Sequence, residues 1–291
     1  MHDILRNIDI DTQKRKAWVF SLVLCAYVTL FMFNGSNSDT DISSITRTDP
    51  ITLLIIQGFV SAILFIGVSL LFARFLLKLN PSDFFPKTSP GTLALIVPIT
   101  LCFMVVNSAI GEWNMSLDFP DSSFETWAKR SEEQLKVLTE HITNFNSPLH
   151  FVIAFIVVAI IPGIGEELLF RGLVQNFFSK AFSNHHVAIW VTGFIFAAIH
   201  MQFYGVIPRT LLGVLFGYIY YWSANLSLAM IAHIVNNGLA LTLLYLSQSG
   251  AINVTPDQME SSAPWPAILL FGSAGSFLLW KFYTKNNLSR E

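Results

Sequence analysis

"FVIAFIVVAIIPGIGEELLFRGLVQNFF", residues 151–178, is the stretch on which the fold of this chain turns. It is long enough to cross a bilayer as a helix, because ~20 apolar residues span a ~30 Å hydrocarbon core. Within it stand two adjacent glutamates, Glu166 and Glu167, and an arginine, Arg171. Each ionisable group at membrane depth costs at least ~2.5–3.5 kcal/mol on insertion scales, which makes such groups functional candidates. Pro162 and Gly163 predict a kink, with helix resuming toward Lys180.

The rest of the chain fits the same environment. Hydrophobic residues make up 53% and charged residues 12%, about half the charged share of an ordinary soluble domain. Apolar runs predict spans at 17–33, 51–78, 91–110, 149–170, 187–203, 206–222, 227–247 and 264–283. The expected fold is all-α, a polytopic membrane bundle of about eight transmembrane helices with one external amphipathic helix. Three regions are expected: 1–147, with three spans and the amphipathic helix; 148–247, the core that holds the ionisable groups at membrane depth; and 248–291, a final span and basic tail.

Loop charges orient the bundle. Arg6, Lys14, Arg15 and Lys16 precede the first span, and Lys281, Lys285 and Arg290 follow the last, whereas Asp39, Asp41 and Asp49 fill the first loop against Arg47. Both termini are expected in the cytosol, in a multi-pass protein of the plasma membrane. No small-residue cleavage site follows the first apolar run, which reads as a retained span. Cys25 and Cys102 both sit in apolar runs without metal-like spacing and read as buried thiols. The net charge of −2 says nothing about partners, and no basic patch suggests nucleic acid. The expected partners are the lipid bilayer and a membrane-associated peptide or protein.

"SSFETWAKRSEEQLKVLTEHIT", residues 122–143, differs in kind. Ser122 and Glu125 have capping-box spacing, and Phe124, Trp127, Leu135, Leu138 and Ile142 form an apolar stripe. The helix is expected to rest on the bilayer or to cover the outer end of the bundle, and a gating role is a further reading.

Between Pro148 and Val254 the only acidic residues are Glu166 and Glu167, and the same region holds Arg171, His200, His233, Asn236 and Asn237. Glu167 and Arg171, four apart, have salt-bridge spacing. Glu166 projects about 100° away and cannot share the arginine equally. Glu166 lies 14 residues before Lys180 and His200 lies 14 after His186. At 1.5 Å per residue, both sit ~21 Å from the expected cytosolic ends of their helices. His233 and Asn237, four apart, share one face of the seventh span. A single histidine in such a place reads as a hydrogen-bonded core residue. Two, level with an unpaired glutamate, read as a site.

A carboxylate can take a proton from water, imidazoles can orient that water or hold a divalent metal such as zinc, and an amide can stabilise an oxyanion. These are the parts of a peptide hydrolase. A Glu/His set in a bundle also suits a proton relay or transporter, and the Pro-Gly break is compatible with that. A catalytically silent scaffold or immunity protein is a third reading.

"EELLFR" (166–171), "FAAIH" (196–200) and "HIVNN" (233–237) occur in the order Glu-Glu-x-x-x-Arg, Phe-x-x-x-His, His-x-x-x-Asn. In this the chain resembles the CAAX prenyl protease and bacteriocin-processing (Abi) family, the type II CAAX endopeptidase-like group. The resemblance covers about 148–247. It implies an eight-helix intramembrane endopeptidase, labelled a metalloprotease, with a cavity open to the cytosol. By motif position Glu166 is the general base, Glu167 and Arg171 support it, His200 helps activate water, and His233 with Asn237 completes the site and holds the oxyanion. His200 and His233 are the candidate ligands if a zinc ion is bound.

Overall fold

The computed structural model describes residues 46–117, 123–255, 258–259 and 261–287. The expected first span, 17–33, together with Cys25, the N-terminal basic residues and Arg290, lies outside these.

Helix starts follow a repeated rule. Asp49, Ser89 and Ser147 each cap a helix that opens with proline, their side chains accepting the N–H of Thr52, Thr92 and His150. Proline at the first position gives up a donor that has no helical partner there, and the cap oxygen satisfies one that would otherwise be orphaned. These caps begin α1 (Pro50–Phe75), α2 (Pro90–Met115) and α4 (Pro148–Ala181). Between the last two lies the amphipathic α3 (Ser123–Thr143). It forms where the sequence placed it, although Ser122, its expected cap, lies outside the described residues.

Asn184 and Asn225 cap α5 (His185–Ala198) and α7 (Leu226–Gln248), with α6 (Val206–Ser223) between them and α8 (Trp265–Asn287) last. Among the described residues no strand occurs, and six helices are long and apolar enough to span a bilayer. The fold is all-α, and the chain is a multi-pass integral membrane protein. One expected span is shorter than its apolar run. Residues 187–203 are helical only as far as Ala198, after which the chain turns through Met201 at φ 55°. The 14 residues of α5 reach only ~21 Å.

The expected kink at Pro162 falls inside a single helix. The helix runs without interruption from Pro148 to Ala181. Wide five-residue turns at Phe155–Ile160 and Leu168–Gln175 flank Pro162 within it. The glycines beside it serve close packing. A Cβ at Gly165 would stand 2.6 Å from Cβ of Phe65 on α1, and one at Gly163 would run into Ile234 on α7. A Cβ at Gly238 of α7 would in turn meet the Phe155 ring at 2.8 Å. α4 is therefore gripped on two sides at the level of its glutamates.

α5 and α6 also meet through glycine, with a Cβ at Gly213 falling 2.9 Å from Cα of Gly193. Phe84, Phe170, Phe196, Phe216, Leu226 and Phe282 fill one core shared by these helices and α8. Cys102 is buried on α2, as its apolar setting predicted.

α3 closes one end of the bundle. His141 Nε2–H donates to Thr48 O at 2.9 Å. Gln248, the last residue of α7, donates to Thr143 O at 3.0 Å and accepts from the Phe145 N–H at 2.9 Å. The turns at Ser183 and Ala224, both with left-handed backbone, lie at the opposite end of the helices.

Candidate active site

Adjacent positions on a helix diverge, and here that separates two carboxylates into different surroundings. Glu167 points into the bundle with no exposed surface, and so does Arg171. Arg171 Nη1 donates to Glu167 Oε1 at 2.7 Å, and Nη2 donates to the carbonyl of Gly213 at 2.7 Å. The guanidinium also lies over the Phe196 ring at 4.9 Å and the Phe216 ring at 5.5 Å. Cation–π contacts of this kind strengthen where water is excluded. Two charges are tolerable at this depth because they are paired, hydrogen-bonded and caged together.

One turn further on, Gln175 repeats the pattern, donating Nε2 to the carbonyl of Gly217 at 3.1 Å. Donors four apart on α4 thus meet glycine carbonyls four apart on α6. A Cβ at Gly217 would stand 2.8 Å from Gln175 Oε1, so the missing side chain admits the amide. Gln175, Gly213, Phe216 and Gly217 were not anticipated. The signal for the glycines was present as the small-x-x-x-small spacing of "GVLFG", 213–217.

His233 joins the pair from α7. Its Nδ1–H donates to Glu167 Oε1 at 2.9 Å, and its ring stacks on Phe216 at 5.0 Å. A carboxylate paired to arginine accepts only, so Nδ1 carries the proton and Nε2 is the ring nitrogen left to act on another group. That nitrogen faces Glu166, with Oε2 at 4.0 Å. The Glu166 side chain is 13% exposed. It lies outside the Glu167–Arg171 hydrogen bonds, as their helical spacing predicted.

His200 is held through Phe196. Its Nδ1–H donates to the Phe196 carbonyl at 2.7 Å, and the two rings meet at 5.1 Å. Phe196 also lies edge-on to His233 at 5.8 Å, so one phenyl ring touches both imidazoles and the arginine. His200 too keeps its lone pair on Nε2.

Asn237 Nδ2 donates to Val158 O at 3.2 Å, and its Oδ1 accepts from Asn236 at 3.0 Å. In a regular helix the Val158 carbonyl would receive the N–H of residue 162, which is proline. Asn237 supplies the donor that Pro162 lacks.

The structure therefore joins Glu167, Arg171 and His233 by hydrogen bonds and sets Glu166 opposite His233 at 4.0 Å. It places His200 beside them through Phe196, and Asn237 on the adjoining helix turn. Among the described residues no group of three or more His, Cys, Asp or Glu side chains is arranged to hold a metal ion. The two imidazoles and the glutamates do not fit a three-ligand zinc centre as they stand.

Comparison with known proteins falls on the same region. Residues 148–239 match the Rce1-like family, described as type II CAAX prenyl endopeptidase Rce1-like. Uncharacterized protein YpbD of Bacillus subtilis (strain 168) is 31% identical over 145 residues, 48% of this chain. The chain thus spans 61% of the length of that relative. No solved structure matches. The three motifs and the four-residue network they build lie inside the matched stretch, so residues 148–239 are similar to the Rce1-like type II CAAX prenyl endopeptidases.

Proposed function

We propose that this protein is an intramembrane endopeptidase that cleaves a membrane-associated or lipidated peptide or protein with water activated at Glu166. The observation that carries this is the Glu166–His233 pair. Two hydrogen-bond acceptors, Oε2 and Nε2, face one another at 4.0 Å. That is too far for a direct bond, and the groups suit a water that donates one proton to each.

In the proposed step Glu166 takes a proton as the water oxygen bonds to the substrate carbonyl carbon. The proton then passes to the leaving nitrogen as the C–N bond breaks, giving a carboxylic acid and an amine. Glu167 and Arg171 fix His233 in the tautomer that leaves Nε2 able to accept. His200, with its own Nε2 lone pair, is placed to orient the water or the substrate. Asn237 shapes the α4 turn nearby and has a second amide proton suited to an oxyanion. This step uses water and these side chains alone.

The transporter reading drew on a broken fourth span, and that helix is continuous. The scaffold reading is separated from the peptidase by experiment. Membranes from cells carrying the native chain or Glu166→Gln are compared for their peptide content. The expected result is an uncleaved species that accumulates only with Glu166→Gln. Identical peptide profiles, with both chains equally abundant, would end the peptidase reading.

A further inference from the structure

Just beyond His200 the chain does something costly. Met201 adopts φ 55°, a left-handed conformation that non-glycine residues seldom take, and α6 begins within a few residues. Such strain persists only where the surroundings hold it in place, and it gathers at functional sites. Here the restraint comes from three side chains that the family motifs do not include. Arg209 Nη2 donates to Gln202 Oε1 at 2.5 Å, and Nη1 donates to the Gln202 carbonyl at 3.4 Å. Gln202 in turn donates Nε2 to Glu132 Oε1 at 3.2 Å. Gly205 makes room for the clasp, since a Cβ there would press on the Arg209 guanidinium carbon at 3.0 Å.

Glu132 comes from α3, more than 60 residues earlier, on the helix that covers this end of the bundle. Burial pushes its carboxyl above the ordinary carboxylate range, while the Arg209 charge, the Gln202 amide and the Tyr204 N–H pull the other way. A second contact fixes the same two segments, with Phe124 of α3 meeting Phe203 edge-on at 4.9 Å. An amphipathic helix that only floated on lipid would have no need to set a half-buried glutamate against a strained turn.

We propose that Glu132, Gln202 and Arg209 are positioning residues for His200, so that α3 is a working part of the active site. The clasp locks the turn that follows Ile199, and through it sets where the His200 imidazole stands above Phe196. A planar guanidinium reaches the side-chain oxygen and the backbone carbonyl of Gln202 together, which a lysine ammonium does much less well. The catalytic consequence rests on the peptidase reading. The structural consequence does not.

Two measurements keep them apart. In a full chain whose two native cysteines are replaced by alanine, Met201→Cys is labelled with a maleimide in intact membranes. Labelling should be slow in that background and with Glu132→Gln added, since a glutamine oxygen still accepts from Gln202. Glu132→Ala and Arg209→Ala should each speed it several-fold.

Turnover is followed on the species that accumulates in Glu166→Gln membranes. Both alanine variants should lower kcat by at least about tenfold, within the ~100-fold expected of a 1 Å misplacement, with little change in KM. Glu132→Gln should restore it. If Arg209→Ala fails to accumulate, Gln202→Met carries the same test, as it keeps the bulk and removes the side-chain hydrogen bonds to Glu132 and Arg209. Unchanged labelling in the alanine variants, or no rescue by Glu132→Gln, would overturn the clasp. Faster labelling with no cleavage by the native chain would leave the clasp standing and remove the peptidase.

Discussion

Arg171 Nη1 stands 2.7 Å from Glu167 Oε1, four residues earlier on the same helix, and both side chains are fully enclosed. The same carboxylate oxygen also receives His233 Nδ1–H at 2.9 Å. One oxygen therefore links the membrane-buried charge pair to the imidazole that faces Glu166.

Removing Arg171 leaves Glu167 charged and unpaired in an apolar interior, which costs about 3–5 kcal/mol. Arg171→Ala is expected to reduce the amount of protein in the membrane, measured by immunoblot, together with activity. Arg171→Lys is expected to fail as well. A single ammonium cannot bridge Glu167 and the Gly213 carbonyl while lying flat between Phe196 and Phe216. Native abundance of the lysine variant would show that charge alone suffices.

The glycines of "GIG", 163–165, are expected to be intolerant for packing reasons. In Gly165→Ala the new methyl meets Phe65 Cβ at 2.6 Å and Ile66 Cγ1 at 3.0 Å, so α1 must move away from α4. Overpacking of this kind costs about 1–3 kcal/mol. Gly111→Ala on α2 is the control, because nothing lies within 4 Å of its added Cβ. There alanine is expected to be neutral or to gain up to about 1 kcal/mol of helix propensity. Thermal unfolding in detergent decides between them, and equal melting of the two variants would refute the contact.

Much of the site was legible because membrane burial makes charge informative. Glu166, Glu167, Arg171, His200 and His233 announced themselves as polar groups in apolar runs, and i,i+4 spacing separated the paired glutamate from the unpaired one. The amphipathic stripe located α3 to within a residue or so. Pro162-Gly163 was harder. Sequence gives the missing N–H of a proline but not whether a neighbour will replace it, and Asn237 does so from another helix. The Gly213 and Gly217 carbonyls carried no chemical label at all, since a backbone acceptor is the same at every position. Gln202 and Arg209 lay in a stretch that read as membrane span, and only the early end of α5 turns them toward α3.

Asn237 is expected to affect stability as well as rate. Its Nδ2 satisfies the Val158 carbonyl that Pro162 cannot, and losing one partner of such a part-buried hydrogen bond costs about 1 kcal/mol. Asn237→Ala should therefore unfold at lower temperature than the native chain. Asn237→Asp should be worse, because a carboxylate oxygen would face the carbonyl oxygen. A variant that melts normally but does not turn over would assign the amide to the oxyanion alone.

Sidedness is tested by reporters in turns rather than in helices. α3 is bonded to Gln248 at the end of α7, so the loop at Gly250 shares its side of the membrane. The Ser183 turn, next to Lys180, belongs to the other side. The positive-inside bias predicts Ser183 in the cytosol and Gly250 outside. A phosphatase reporter inserted at Gly250 is expected to be active and one at Ser183 inactive. The reverse pattern would turn the proposed cavity away from the cytosol.

The last expectation separates the reacting carboxylate from the supporting one, and hydrolysis through water from hydrolysis through a metal. Glu166→Gln keeps shape and hydrogen-bonding capacity while removing the base, and Glu166 lies outside the Glu167–Arg171 pairing. It should therefore accumulate at native levels and show no cleavage. Glu167→Gln weakens the bonds to Arg171 and His233 together, so it should lose abundance along with activity. His233→Ala and His200→Ala should each be severely impaired, the first by losing the acceptor opposite Glu166 and the second the imidazole seated on Phe196. Because no described trio of side chains is arranged to hold a metal, a strong chelator should leave turnover by the purified protein unchanged. Loss of activity with chelator and its return with zinc would show that His200 and His233 rearrange to bind the ion, and the water-only mechanism would be wrong. Full biological effect from Glu166→Gln, His200→Ala and His233→Ala alike would instead place the protein among scaffolds, with its buried charges serving the fold alone.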